Sequence, residues 1–94
     1  MDFDYKRIEG ARDDHDVRLF TLSTCSHCKS VKKLMKELGM SYRFIDVDLS
    51  SRQVKKEITK FLKENNLPIS FPVIIIDNEI IIVNHEKKII TLFK

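Results

Sequence analysis

Hydrophobic positions in this chain fall into short runs separated by charged segments. Four runs are rich in β-branched and aromatic residues and predict strands. The last two are nearly all isoleucine or valine, which is typical of strands buried on both faces. Asp77 and Asn78 lie between these two and tolerate positive φ, so they predict a tight hairpin. The predicted strands are Val17–Leu22, Tyr42–Val47, Val73–Ile76 and Ile80–Val83.

Helical periodicity appears between the strands. From Ser26 to Leu38, apolar residues recur at spacings of three, four and seven, and Gly39 is a suitable residue to follow the helix. Ser23 or Thr24 is the expected N-cap of this helix. Its opposite side predicts a solvated stripe of Lys29, Lys32, Lys33 and Lys36.

A second helix is predicted between the second and third strands. Ser50 and Gln53 are spaced as a capping box at its start, and Pro68 prevents its continuation. A short third helix, roughly Glu86–Phe93, is predicted after the last strand.

The predicted order of elements is β-α-β-α-β-β-α. The first two strands are joined by a helix, which favours a parallel, right-handed connection, and the last two pair antiparallel. This order predicts an α/β protein with a thioredoxin-like fold, in which helices cover both faces of a four-stranded mixed sheet. Residues 17–94 would form this domain, and residues 1–16 an extension, either a flexible tail or a short strand around Phe3, Tyr5 and Ile8.

Composition narrows the classes of function. A formal net charge of +3 over 94 residues is too small to indicate nucleic-acid binding. The acidic N-terminus lacks the apolar stretch of a secretory signal. The apolar segment Val73–Val83 is interrupted by Asp77-Asn78-Glu79, so it cannot span a bilayer. We therefore expect a cytoplasmic protein, in a compartment where disulfides are usually transient and catalytic. We also expect it to be a monomer.

The chain's two cysteines form the motif Cys25-Ser26-His27-Cys28, between an apolar strand and a helix. A CxxC motif at such a junction is typical of a dithiol–disulfide redox centre. Helix N–H groups, the Cys28 thiol and the positive potential of His27 and Lys29 would stabilise a thiolate at Cys25. We expect Cys25 to attack a substrate disulfide and Cys28 to resolve the mixed disulfide. Thr24 and Lys29 are candidates for tuning the site or steering substrates.

Phe71-Pro72 precedes the third predicted strand, which is a position that proline tolerates. A cis bond there would turn the backbone of Phe71 outward, where it could pair with an extended substrate opposite Cys25. We expect Ser26 and His27, between the two cysteines, to contact the substrate as well.

Half of a zinc site is the main alternative for the CxxC motif. Two more ligands would be required, and His15, His27 and His85 do not show zinc-finger spacing, so we expect no metal and no other cofactor. Two further functions stay open: a redox-switched binding module that uses Lys29 and Lys32, and a carrier of metal or clusters.

Four segments together resemble the glutaredoxin family, in particular prokaryotic glutaredoxin-like proteins close to NrdH-type redoxins. The resemblance covers about residues 15–93. It implies a thioredoxin fold without the N-terminal strand and helix, a cis Pro72, a nucleophilic Cys25, a resolving Cys28 and the reduction of protein disulfides. The segments are Leu19–Lys29, Leu38-Gly39, Tyr42–Asp48 and Ser70-Phe71-Pro72.

The chain departs from this family pattern in places that concern its electron donor. Glutathione-using members carry Gly-Gly and an Asp after the last strand, whereas this chain has Ile82-Val83-Asn84-His85-Glu86. Side chains at Ile82 and Val83 would crowd glutathione, so we expect a thioredoxin-reductase-like or ferredoxin-linked reductase as donor. Ser26-His27 also replaces the typical Pro-Tyr, and the Trp-containing C-terminal signature of ribonucleotide reductase redoxins is missing. A glutathione-dependent glutaredoxin is the alternative.

Overall fold

The computed structural model describes residues 3, 5–66 and 71–81. Five strands, two α-helices and one 3-10 helix lie within these ranges. Their bounds are β1 Lys6–Ile8, β2 Val17–Thr21, α1 Ser26–Glu37, β3 Tyr42–Asp46, the 3-10 helix Val47–Leu49, α2 Arg52–Glu64, β4 Val73–Ile76 and β5 Glu79–Ile81.

The strands of the described part form one mixed sheet in the order β1-β3-β2-β4-β5. β2 and β3 are parallel and are joined by α1, while β4 pairs antiparallel with both β2 and β5. The predicted parallel pair and hairpin are therefore confirmed. Asp77 and Asn78 form the hairpin turn with φ values of 52° and 67°. The four strands β2 to β5 make the predicted thioredoxin-like sheet, and β1 adds a fifth at the edge of β3.

One helix packs on each face of the sheet because successive strand residues point to opposite faces. The face with Leu19 and Ile74 packs against Val31 and Met35 of α1. The other face, which carries Phe20, Ile75 and their neighbours, packs against α2 through Ile58 and Leu62. All four residues of β4 are buried, as their uninterrupted apolar sequence predicts.

The N-terminal extension contains an ordered strand, β1, antiparallel to β3. The ring of Phe3, before β1, is edge-on to the rings of Phe20 and Phe61, with centroid distances of 5.6 Å and 6.4 Å. After β1 the backbone of Gly10 passes so close to Gly39 that a Cβ atom on Gly10 would lie 2.5 Å from the Gly39 carbonyl oxygen. Gly39 itself follows α1 with φ 67°, as predicted for the end of that helix. The extension therefore packs on the domain at two places.

Several element boundaries differ from the prediction. The N-cap of α2 is Ser51, whose hydroxyl accepts a hydrogen bond from the Val54 N–H, and not Ser50. Ser50 is occupied instead in closing the 3-10 helix, where its hydroxyl donates to the Asp46 carbonyl. β2 and β3 each end one residue earlier than predicted. The predicted third helix and residues 82 and 83 of the last strand lie outside the described residues. No helix in the described ranges is long and apolar enough to cross a membrane.

Candidate redox site

Cys25 is the N-cap of α1. Its backbone is extended, with φ −87° and ψ 117°, and its sulfur accepts a hydrogen bond from the Cys28 N–H at 3.2 Å. The prediction of Ser23 or Thr24 as the cap was wrong, because these residues form a turn closed by the Cys25 N–H and the Leu22 carbonyl. The helix therefore begins after the first cysteine, and its unpaired N–H groups point towards the thiol.

The two thiols have opposite surroundings. Cys25 is partly exposed, whereas none of the surface of Cys28 is accessible to solvent. The hydrogen bond from the Cys28 thiol, aided by the N–H groups of Cys28 and His27, holds the pKa of Cys25 below its ordinary value. Burial, together with that same hydrogen bond, raises the pKa of Cys28 to about 12. The Cys25 thiol therefore ionises at a lower pH than the Cys28 thiol.

The neighbours of the cysteines on α1 are mostly open to solvent. Ser26 and Lys29 are exposed and His27 is half-buried. The Lys29 N–H donates to the Cys25 carbonyl at 3.1 Å, which closes the first turn of the helix. Thr24 is exposed in the preceding turn. The contacts of these residues with a substrate stay predictions.

Pro72 and Phe71 lie at the same edge of the sheet as the CxxC motif. Val73 pairs with Phe20, so the residues before Val73 lie beside the end of β2, from which the chain continues to Cys25. Pro72 is buried, and its peptide bond with Phe71 is cis. Phe71 is half-buried and packs against the core on the α2 side. The structure thus brings both predicted elements of the site to one end of the sheet.

Two carboxylates, one at the end of β3 and one just after it, contact the end of β2 and the loop that leads to Cys25. Asp48 accepts hydrogen bonds from the Ser23 N–H at 2.9 Å and from the Ser23 hydroxyl, and these bonds lower the pKa of Asp48. Asp46 accepts a hydrogen bond from the Thr21 hydroxyl at 2.6 Å. Asp46 and Asp48 are not among the site residues predicted from the sequence. Their position in the sequence could have indicated this role, because the carboxyl ends of neighbouring parallel strands meet at one edge of the sheet.

Lys32 does not belong to an open lysine stripe, in contrast to the prediction. Its ammonium nitrogen lies 3.1 Å from Asp46 Oδ1 and 4.0 Å from the centre of the Phe44 ring. The Lys32 side chain is 21% exposed to solvent. Lys32 lies one helical turn after Cys28, and its charge lowers the pKa of Cys28, opposing the larger effect of burial.

The described residues contain no group of three or more His, Cys, Asp and Glu side chains arranged to hold a metal ion. His15 lies before β2 and contacts Asp77 of the hairpin, with 2.6 Å between Nδ1 and Oδ2. β2 runs from that end of the sheet towards the end that carries the CxxC motif, so His15 lies far from Cys25. His85 falls outside the described residues.

A mixed sheet with a helix on each face and a CxxC motif at the start of α1 defines a thioredoxin-fold protein. The family model for glutaredoxin matches residues 17–81. The chain belongs to the glutaredoxin family.

Individual relatives agree with this assignment. Glutaredoxin 1 of Rickettsia conorii is 33% identical over 64 residues, which cover 68% of this chain and 60% of that protein. The chain thus spans somewhat less than two thirds of this relative's length. A glutaredoxin structure from Methanosarcina mazei Go1 superposes with a TM-score of 0.80 at 31% identity, covering 94% of this chain and 85% of the other. The methanoredoxin of Methanosarcina acetivorans superposes with a TM-score of 0.73 at 35% identity, covering 82% of each chain.

Proposed function

We propose that this protein is a thiol–disulfide oxidoreductase that reduces disulfides of other proteins. The observation that carries the proposal is the asymmetry of the two thiols. Cys25 caps α1, is partly exposed and has a lowered pKa, whereas Cys28 is buried with its pKa raised to about 12. A nucleophile must be both accessible and ionised, and a resolving thiol must stay protonated until the mixed disulfide has formed.

The reaction proceeds in two exchanges. The Cys25 thiolate attacks one sulfur of the substrate disulfide, that S–S bond breaks, and the departing sulfur leaves as a thiolate that takes up a proton. Cys28 then loses its proton and attacks Cys25 Sγ, which releases the second substrate thiol. Two electrons and two protons pass to the substrate, and a Cys25–Cys28 disulfide remains. The first exchange also removes the negative charge and hydrogen bond of Cys25 that contribute to the raised pKa of Cys28.

Insulin reduction in the presence of dithiothreitol tests this activity. The wild-type protein should accelerate precipitation of the insulin B chain, and Cys25→Ser should reduce the rate to that of dithiothreitol alone. Cys28→Ser is the matched variant, since it retains the nucleophile. It should accumulate a mixed disulfide with the substrate, detectable as a mass shift that dithiothreitol reverses. Equal rates for wild type and Cys25→Ser would rule out the proposal.

For the electron donor we propose a disulfide reductase of the thioredoxin-reductase or ferredoxin-linked kind, acting in the cytoplasm. The support is the sequence Ile82-Val83 where glutathione-using members have two glycines. Incubation of the oxidised protein with glutathione and glutathione reductase should consume NADPH slowly, and a thioredoxin-reductase system should consume it faster. Efficient turnover with glutathione would contradict this choice of donor and would favour a glutathione-dependent glutaredoxin.

A further inference from the structure

Basic residues are concentrated in the two α-helices, with four in α1 and five in α2. α2 contains five basic residues and two acidic ones, Glu57 and Glu64, so its excess is +3. α1 has an equal excess, from four lysines and Glu37, and the rest of the chain is net negative because the formal charge of the whole chain is also +3. The five basic residues of α2, called here the basic face, are Arg52, Lys55, Lys56, Lys60 and Lys63.

The residues of the basic face project to one side of α2. They recur at helical spacings and, with Thr59 and Glu64, line a shallow groove of about 460 Å³. All five are exposed. Among the ion pairs of the described residues, the one that involves this face joins Lys60 to Glu64 at 3.8 Å.

Three arginines outside the two helices are neutralised at close range. Arg7 and Arg43 lie 2.6 Å from Glu9 and 2.7 Å from Asp16, respectively. Arg12 lies 3.0 Å from Asp14. These pairs cluster around the extension and the start of β2, away from the end of the sheet where Cys25 lies. α1 exposes three lysines, Lys29, Lys33 and Lys36, whereas its Lys32 is paired with Asp46, so the five exposed residues of the basic face form the larger positive cluster of the two helices.

The basic face begins beside the redox site. α2 follows the 3-10 helix, where Asp48 holds Ser23, two residues before Cys25. Lys55, in the first turns of α2, is near enough to Asp48 to contribute to the lowered pKa of that carboxyl. From Arg52 to Lys63 the face extends roughly 16 Å along the helix. A partner whose disulfide reaches Cys25 can therefore lie along this face.

We propose that the basic face of α2 docks the acidic surface of a protein that exchanges disulfides with Cys25. This inference rests on the proposed function, because the docked protein must be attracted by the positive charge and must also react with the adjoining thiol. Carboxylates beside a disulfide supply that combination, whereas a nucleic acid has no group that reacts with Cys25. Opposite charges of this kind act mainly by raising the rate of encounter.

Two synthetic peptides with the same disulfide loop test the proposal, one with a flank of six glutamates and one with six glutamines. The fully reduced protein is mixed with each peptide, and second-order rate constants are measured at several salt concentrations. We expect the acidic peptide to react about tenfold faster at low salt. The ratio should approach one in about 0.5 M sodium chloride, where the screening length is only a few ångströms.

Two variants with equal net charge locate the effect. Lys55→Gln/Lys56→Gln/Lys63→Gln should lose most of the preference for the acidic peptide. The matched control neutralises three exposed lysines outside α2, Lys6→Gln/Lys33→Gln/Lys36→Gln, and should keep most of it. Circular dichroism checks that both are folded, and Lys56→Gln and Lys63→Gln as single variants give the same comparison with less perturbation. Equal loss in both triple variants, or a ratio near one in the wild type, would overturn the proposal.

The neutral peptide separates this inference from the proposed function. If neither peptide is reduced, the oxidoreductase proposal fails, and a binding measurement then tests the docking proposal separately. Amide shifts of α2 in ¹⁵N NMR spectra are then followed during titration with a cysteine-free acidic peptide, and their absence would overturn docking. A single-stranded oligonucleotide of equal charge that binds the same amides more tightly would also overturn it, since the face would then be a nucleic-acid site.

Discussion

At the scale of single residues, the reactivity of this protein depends on where α1 begins. Because the helix starts after Cys25, the Cys25 sulfur lies at the N-terminus of the helix. Cys28 lies in the first turn of the helix and is buried in the core. The same four-residue motif with a helix starting at Ser23 would enclose both thiols within helical turns. The position of the cap therefore distinguishes attacking from resolving thiol.

The hydrogen bond between the thiols can be tested by removing its donor. Cys28→Ala eliminates the largest contribution to the lowered pKa of Cys25, so this pKa should rise towards its ordinary value. The measurement is the pH dependence of Cys25 alkylation by iodoacetamide, whose midpoint should move to higher pH. Ser30→Ala, on the exposed side of the same helix, serves as the control and should leave the midpoint in place. An unchanged midpoint in Cys28→Ala would show that the helix N-terminus alone lowers the pKa.

At the scale of elements, the hydrophobic pattern predicted strands and helices well, and their junctions less well. The run Val73–Ile76 and the turn at Asp77 matched the structure because an uninterrupted apolar run and turn chemistry are local features of the sequence. Both N-caps were misplaced by one or two residues, since consecutive Ser, Thr and Cys residues offer several capping groups. Which one caps depends on tertiary contacts such as that of Ser23 with Asp48, which lie 25 residues apart. The same reason explains why the role of Asp48 was missed.

The packing of the N-terminal extension is a property of elements that stability measurements can test. Phe3 contacts the rings of Phe20 and Phe61, although it is only half-buried. Phe3→Ala should therefore lower the free energy of unfolding by about 1–2 kcal/mol, less than a fully buried aromatic residue would lose. Urea denaturation measures the change.

Leu49→Ala is the matched control for this experiment. Leu49 is 69% exposed, so its truncation should change the free energy of unfolding by less than about 0.5 kcal/mol. If Phe3→Ala behaved like this control, the ring contacts of Phe3 would contribute nothing to the stability of the domain.

At the scale of the whole molecule, hydrogen bonds to surface carboxylates make stability depend on pH. Donors lower the pKa values of three of them: Ser23 at Asp48, His15 at Asp77 and Arg12 at Asp14. A carboxyl group with a lower pKa in the folded state stabilises the fold at any pH above its unfolded pKa of about 3.9. This contribution is lost as the pH falls through the folded pKa values, because the unfolded chain takes up protons first.

We therefore expect the urea midpoint to be nearly constant from about pH 7 to pH 5 and to fall below about pH 4. Asp48→Asn/Asp77→Asn should lower the midpoint at pH 7 and reduce the slope in acid, since two of the titrating groups are gone. An acid slope equal to that of the wild type would contradict the assignment of these two carboxylates.

β1 has a consequence for how copies of this protein meet one another. An uncovered strand edge invites pairing with a strand from another molecule, which leads to aggregation. β1 occupies the outer edge of β3 and presents an edge of only three exposed residues, including Lys6 and Arg7. A strand this short and this charged is a poor template for further pairing. We therefore expect the extension to disfavour pairing between the sheets of neighbouring molecules at this edge.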